Sequence, residues 1–219
     1  MPMSPSPKSV STASTAAAES IPNPPMRIGL YGGSFDPVHL GHLLVAEAAC
    51  EEMALDRIVF IPAARSPFKP GSAPAPDALR LRWLRIALAG RPDFDVDDLE
   101  LRRGGTSYTI DTIREYAGRY PAAELCWLIG ADHVPTLNLW REAEVLARSV
   151  EFIMIPRPGN PPEAPPPPFH VRPLRGWPLG VSSSEIRERI RTGKSVDHLL
   201  PPHVSESIQQ TGAYRPVAA

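Results

Sequence analysis

The run Arg27-Ile28-Gly29-Leu30-Tyr31-Gly32-Gly33-Ser34-Phe35-Asp36-Pro37-Val38-His39-Leu40-Gly41-His42 decides how this chain folds. Its first five residues form a short apolar strand. From Leu40 onward, Leu43, Leu44 and Ala48 fall with nearby apolar residues on one stripe, so the spacing predicts a helix over 40–53. The loop between them leaves a strand and enters a helix. Its glycines permit positive φ and close approach of backbone to a ligand. The helix start offers unpaired N–H groups and the positive end of a dipole, which favour phosphate. His39 and His42 are three apart and share one side of the first turn, with Gly41 leaving the approach open. Imidazoles, amides and dipole together make an anion clamp.

Outward from this loop the elements alternate. A buried strand is expected at 58–61, closed by Pro62, then a helix at 77–89 and irregular or strand structure at 94–101. A helix follows at 109–120, a strand at 125–129, a helix at 134–148 and a strand at 152–155. Short helices at 184–191 and 203–210 close the chain. Such alternation implies right-handed crossovers. The fold class is therefore α/β: a Rossmann-like, doubly wound, mainly parallel sheet with helices on both faces and short C-terminal helices. Ligands in such folds bind beyond the carboxyl ends of the strands.

Composition limits the alternatives. The chain has 219 residues, 42 % of them apolar, enough for one domain with a real core. Lys and Arg number 23 against 24 Asp and Glu, which argues against a polybasic nucleic-acid binder. Two cysteines, Cys50 and Cys126, build neither a disulfide framework nor a Cys-rich zinc site. No stretch approaches 18 apolar residues, so no membrane span is expected, and without a secretion signal the expected compartment is the cytoplasm. The 28 prolines concentrate in two places. Residues 1–25, rich in Ser, Ala and Pro, read as a disordered tail, and its lack of arginine argues against a transit peptide. Residues 156–168 end in four consecutive prolines and read as a stiff surface loop rather than a docking ligand. Residues 26–219 are expected to form a single domain.

Rival motifs fail at the first loop. Gly29 and Gly32 are three apart, which breaks the dinucleotide fingerprint. Gly193-Lys194-Ser195 resembles the end of a Walker A loop, but Glu188 stands where its first glycine is needed, and the segment follows a helix, so it reads as a C-cap. The two histidines have no third ligand at a known spacing, so no metal site is expected. A second anion signature, Val181-Ser182-Ser183-Ser184-Glu185-Ile186-Arg187, combines a serine-capped helix start with an arginine one turn in.

The two motifs together resemble the phosphate-binding signatures of the nucleotidylyltransferase superfamily. Ser184 stands where threonine is usual and keeps the hydroxyl. Three internal blocks, Ser107-Tyr108-Thr109-Ile110-Asp111-Thr112, Ile129-Gly130-Ala131-Asp132 with Leu137 and Trp140, and Arg157-Pro158-Gly159, are similar to the bacterial nicotinate-mononucleotide adenylyltransferases. So is the closing Leu199-Leu200-Pro201-Pro202-His203-Val204. The resemblance runs from about Arg27 to Arg215. It departs at Phe68, where the family often has histidine before the lysine, and at Ser207, where an aromatic is common.

The resemblance implies transfer of the adenylyl group of ATP to nicotinate mononucleotide, giving deamido-NAD and pyrophosphate. It implies His39, His42 and Arg187 as catalytic residues. ATP would meet Gly32, Gly33, Ser34, Phe35, His39, His42, Lys69, Gly130, Asp132, Ser183, Ser184 and Arg187. Nicotinate mononucleotide would meet Ser34, Lys69, Tyr108, Thr109 and Trp140. Mg²⁺ would arrive on the ATP phosphates, with no protein metal site. No nucleic-acid or membrane partner is implied, and a homo-oligomer is compatible with the sequence. The alternatives are a pantetheine-phosphate adenylyltransferase with the same phosphate motifs and a non-catalytic nucleotide sensor. A preference for nicotinate over nicotinamide leaves no mark in the side chains.

Overall fold

A computed structural model describes residues 24–68, 73–159, 163–177 and 179–216. The expected tail, apart from its last two residues, and Lys69 lie outside the described residues, as do 160–162 of the proline-rich loop. Six strands form one sheet: β1 (Arg27–Gly33), β2 (Arg57–Pro62), β3 (Phe94–Val96), β4 (Glu124–Gly130), β5 (Glu151–Ile155) and β6 (Val171–Pro173). Their order is β3-β2-β1-β4-β5-β6, and every pairing is parallel. The chain winds outward from β1 through β2 and β3, then returns to the other side of β1 at β4. The crevice beyond the carboxyl ends of β1 and β4 is therefore the point where the winding reverses, the standard ligand position in an open α/β sheet.

Strand alternation fills two cores. Ile58, Phe60, Cys126, Leu128 and Ile153 point to one face. There they meet α1 (Leu40–Met53), α2 (Asp77–Leu88), α6 (Ser183–Arg191) and α7 (Pro202–Thr211). Ile28, Leu30, Val59, Ile61, Trp127, Ile129 and Phe152 point to the other face. They meet α4 (Thr109–Arg119) and α5 (Ala143–Ser149), with Leu99 from α3 (Leu99–Arg103). Each fully buried Leu, Ile or Phe contributes about 1.5–3 kcal/mol of transfer free energy. The two-sided burial makes β1, β2 and β4 nearly continuous apolar runs, as a doubly covered parallel strand requires.

The structure departs from the expectations at two places and adds a strand. The helix expected at 134–148 is two pieces: a 3-10 stretch, Ala131–Leu139, and then α5. Pro135 lacks an amide, and Glu142 adopts positive φ (55°), so an α-helix does not run through. Trp140 lies in the break with extended backbone. The segment 94–101 is a three-residue strand followed by the start of α3, whose five residues are too few for a periodic signal. β6, three residues ending in Pro173, had no visible pattern; the proline fits an edge position.

Other details follow the sequence. Gly193 (φ 70°) closes α6 as expected: its amide bonds the Ile190 carbonyl at 3.1 Å, and the Lys194 amide bonds that of Arg189 at 2.8 Å. That pair is the Schellman cap. Ser207 is buried and accepts a 3.2 Å hydrogen bond from Trp83 Nε1, so the polar substitution completes a core indole. No helix among the described residues is long and apolar enough to cross a membrane.

Candidate active site

The loop from β1 to α1 sits in the crevice. The paired glycines are there for packing as much as for a ligand. A Cβ on Gly32 would lie 2.7 Å from the Trp127 ring, and one on Gly33 would lie 3.0 Å from the Phe35 ring. Neither glycine has positive φ; the left-handed residue of the loop is Phe35 (φ 46°). The Phe35 ring is buried against Tyr31, His42 and Phe60, so its ring is core and only its backbone can meet a phosphate. Ser34 lies at the edge of a cleft of about 300 Å³ lined by residues 63–66 and 74–77. Its carbonyl accepts a 2.7 Å bond from the fully buried Arg80, whose Nη2 meets Asp77 at 2.5 Å.

His39 and His42 stack, with ring centroids 3.7 Å apart. His39 caps α1, and its backbone N–H donates to His42 Nδ1 at 3.2 Å. That fixes the His42 lone pair on Nδ1 and leaves its proton on Nε2, the nitrogen that can donate to an anion. His39 is buried, and its Nδ1 has no hydrogen-bond partner among the described residues. Burial, and secondarily the charge of Arg157, hold the His39 pKa down to about 4, so this imidazole is neutral at pH 7. Not every amide of the helix start is open: that of Leu40 donates to the Leu199 carbonyl at 3.0 Å. The closing Leu-Leu-Pro-Pro motif thus covers one side of the clamp.

The second motif meets the first. Ser182 caps α6, accepting from the Glu185 amide at 3.1 Å. Ser183 donates to the Pro37 carbonyl at 2.9 Å. Arg187 reaches the Asp36 carbonyl at 2.7 Å, its carboxylate at 3.4 Å and Ser184 Oγ at 3.1 Å. The starts of α1 and α6 therefore converge on one loop from residues about 150 apart in sequence. Asp36 was not among the expected site residues, yet it joins the parts. It is buried and accepts from the Ala75 amide at 3.0 Å and from the Tyr214 hydroxyl at 2.7 Å, besides pairing with Arg187. Its signal was its place inside the first motif; Tyr214 carried none.

Gly130 and Asp132 leave β4 beside this loop. A Cβ on Gly130 would sit 2.5 Å from Asp132 Oδ1, so a larger residue there would displace that carboxylate. Asp132 Oδ1 pairs with Arg157 Nε at 3.0 Å. Arg157 is a further cation at the crevice that the site reading omitted, although the Arg-Pro-Gly block after β5 marked it.

The substrate-side residues form a second, aromatic group. Phe68 lies 5.3 Å from Trp140 and 4.8 Å from His133, centroid to centroid. Trp140 is half-buried, packs edge-on to Phe152 and keeps an unpartnered buried Nε1. Tyr108 precedes α4, Thr109 begins it, and the Arg141 guanidinium lies 4.8 Å above the Tyr108 ring. Among the described residues no three His, Cys, Asp or Glu side chains are grouped to hold a metal. The donors at the crevice are imidazole, guanidinium and hydroxyl groups, which suit the oxygens of a phosphate chain that brings its own cation.

Comparison with known proteins agrees with this geometry. The cytidylyltransferase-like family model matches residues 30–189. A probable nicotinate-nucleotide adenylyltransferase of Thermus thermophilus is 45 % identical over 190 residues, covering 87 % of this chain and 100 % of its own. One from Opitutus terrae is 42 % identical over 193 residues, covering 87 % and 99 %. The chain belongs to the nicotinate-nucleotide adenylyltransferase family. The fold of this family member also matches Plasmodium falciparum nicotinic acid mononucleotide adenylyltransferase complexed with NaAD, with TM-score 0.71 at 19 % identity over 86 % of this chain and 97 % of that one. As a nicotinate-nucleotide adenylyltransferase relative it is a nucleotidyltransferase, a class that generally uses a divalent metal with ATP.

Proposed function

We propose that this protein transfers the adenylyl group of ATP to nicotinate mononucleotide, forming deamido-NAD and releasing pyrophosphate. The observation that carries the reading is the convergence of two capped helix starts, stacked imidazoles and Arg187 on one loop at the reversal of the sheet. The proposed compartment is the cytoplasm, in keeping with unpaired thiols at Cys50 and Cys126.

A phosphate oxygen of the mononucleotide attacks the α-phosphorus of ATP, and the bond to the bridging oxygen of pyrophosphate breaks. The nucleophile is already ionised at pH 7, so no general base is needed. The barrier comes from bringing an anion to a polyanion and from charge growing on the leaving group, so catalysis is positioning and charge stabilisation. His42 Nε2–H donates to the α-phosphate oxygen where charge gathers. His39, neutral and stacked behind it, holds the ring in place without adding a buried charge. Arg187 has five N–H donors and spends part of the fork on Asp36 and Ser184; the rest meets the departing pyrophosphate. Mg²⁺ on the triphosphate supplies charge neutralisation. Asp132 and Gly130 flank the adenosine, and Trp140 and Tyr108 flank the pyridine ring, for which Trp140 is the stacking platform.

The test is pyrophosphate release from Mg-ATP with nicotinate mononucleotide, nicotinamide mononucleotide and phosphopantetheine in parallel. Strong release with the first is expected. Release with phosphopantetheine alone would overturn the substrate side, and silence with all three in folded protein that binds ATP would point to a sensor.

A further inference from the structure

Beneath the substrate-side loops lies a buried carboxyl that the reaction does not use. Glu100, on α3, is 4 % exposed. Thr112 Oγ1, on α4 and wholly buried, donates to Glu100 Oε1 at 2.6 Å, and Ser107 Oγ is the carboxyl's other side-chain hydroxyl partner. The direction of each proton follows from the neighbours. The Ala64 amide donates to Ser107 Oγ at 3.0 Å, so the Ser107 hydroxyl turns its own proton toward Glu100. Arg103 Nη1 approaches Thr112 Oγ1 at 3.5 Å, so the Thr112 proton also goes to Glu100. Two hydroxyl donors converge on one carboxyl, and the ionised form, which has only acceptors, takes both. The Ser107 amide meanwhile donates to the Arg65 carbonyl at 2.9 Å, closing a second link between the same segments.

We propose that Glu100 is a positioning residue that acts through Ser107. It locks the segment after β2, residues 63–68, to the start of α4 at Tyr108 and Thr109. The coupling has a direct consequence for the substrate. Residues 63–66 line the cleft beside Ser34, and Phe68 at the end of the same segment contacts Trp140. Tyr108 follows Ser107 directly. One buried acid thus sets the distance between the two walls that would hold the mononucleotide, while the ATP side, built on α1 and α6, has no bond to it among those described. Burial raises the Glu100 pKa, and the two hydroxyl bonds and Arg103 oppose the rise, so the charge depends on the bonds it organises.

The inference rests on the proposed function for its substrate, and the test separates the two. Glu100→Gln keeps the shape but turns an amide toward one of the two donors. Ser107→Ala leaves Glu100 and Thr112 paired and removes the bonds of Ser107 Oγ to Glu100 and to the Ala64 amide. After melting has confirmed that both variants fold, KM is measured for each substrate. The KM for nicotinate mononucleotide should rise about tenfold to hundredfold in both, as expected for a displaced binding wall. The KM for ATP should stay within about twofold. Amide hydrogen exchange without substrate supplies the independent reading: the Ala64 amide should lose about tenfold protection in both variants. Equal rises in both KM values, or unchanged Ala64 protection in folded variants, would overturn the proposal. Normal exchange effects in an enzyme that does not turn over nicotinate mononucleotide would sink the substrate assignment and leave the coupling standing.

Discussion

His39 offers a pH test of the clamp whose size can be worked out. Its imidazole is buried, with Nδ1 unpartnered, and its pKa is lowered from 6.5 to about 4, first by burial and then by Arg157. The unfolded chain therefore takes up this proton at higher pH than the folded one. Above pH 6.5 both states are neutral and the site costs nothing. As pH falls from 6.5 toward 4, protonation favours the unfolded chain, and stability is lost across that window. Full passage is worth about 3 kcal/mol, and at pH 4.5 the loss is about 2.5 kcal/mol. The assay is urea unfolding of wild type and His39→Gln at pH 7.5 and 4.5. Carboxylates such as Asp97, held low by Tyr116 and Arg119, and Glu100, raised by burial, titrate in both proteins and cancel in the difference. With a urea slope of about 1–3 kcal/mol per molar, the wild-type midpoint should drop by roughly 1 M more than that of the variant. Arg157→Gln should keep most of the effect, since its charge is the smaller cause. An extra wild-type loss below about 1 kcal/mol would mean that His39 is solvated or paired in the folded protein, and the neutral, stacked partner of His42 would have to be abandoned.

Other consequences can be checked with single substitutions. His42→Ala should cut kcat by about 10²–10³ in a folded protein, the usual cost of losing one preorganised donor to developing charge; activity within about tenfold of wild type would remove His42 from its assigned role. Trp140→Ala should raise the KM of the mononucleotide more than that of ATP, whereas equal effects would make the indole a packing residue. Gly32→Ala should cost about 1–3 kcal/mol because its Cβ meets the Trp127 ring at 2.7 Å. Chemical denaturation measures this, and Trp127→Leu in the same chain should recover part of the loss if the contact is the cause.

The sheet was legible because its central strands, β1, β2, β4 and β5, are apolar runs buried on both faces, and because helices such as α4 carry an apolar stripe. Both anion motifs were legible because they need particular side chains at helix starts, and the structure brings them together. What escaped reading was set by tertiary contacts. Phe35 takes the left-handed turn that the glycines seemed made for, because its ring has a pocket among Tyr31, His42 and Phe60. Trp140 looked helical, yet Glu142 breaks the chain just after it. Asp36 and Tyr214 are 178 residues apart, and no spacing rule connects them. Glu100 sat in a segment too short to show a period, and its partners lie on other elements. The position of Lys69 lies outside the described residues.

The bond from Tyr214 to Asp36 also bears on when this protein becomes competent during its synthesis. The β1 loop emerges from the ribosome first, but Leu40, Asp36 and Pro37 find their partners in Leu199, Arg187, Ser183 and Tyr214, which follow 146 to 178 residues later. A nascent chain can close β1, β2 and β3 long before it can complete its anion clamp. Incomplete chains would carry much of the sheet without a finished anion clamp.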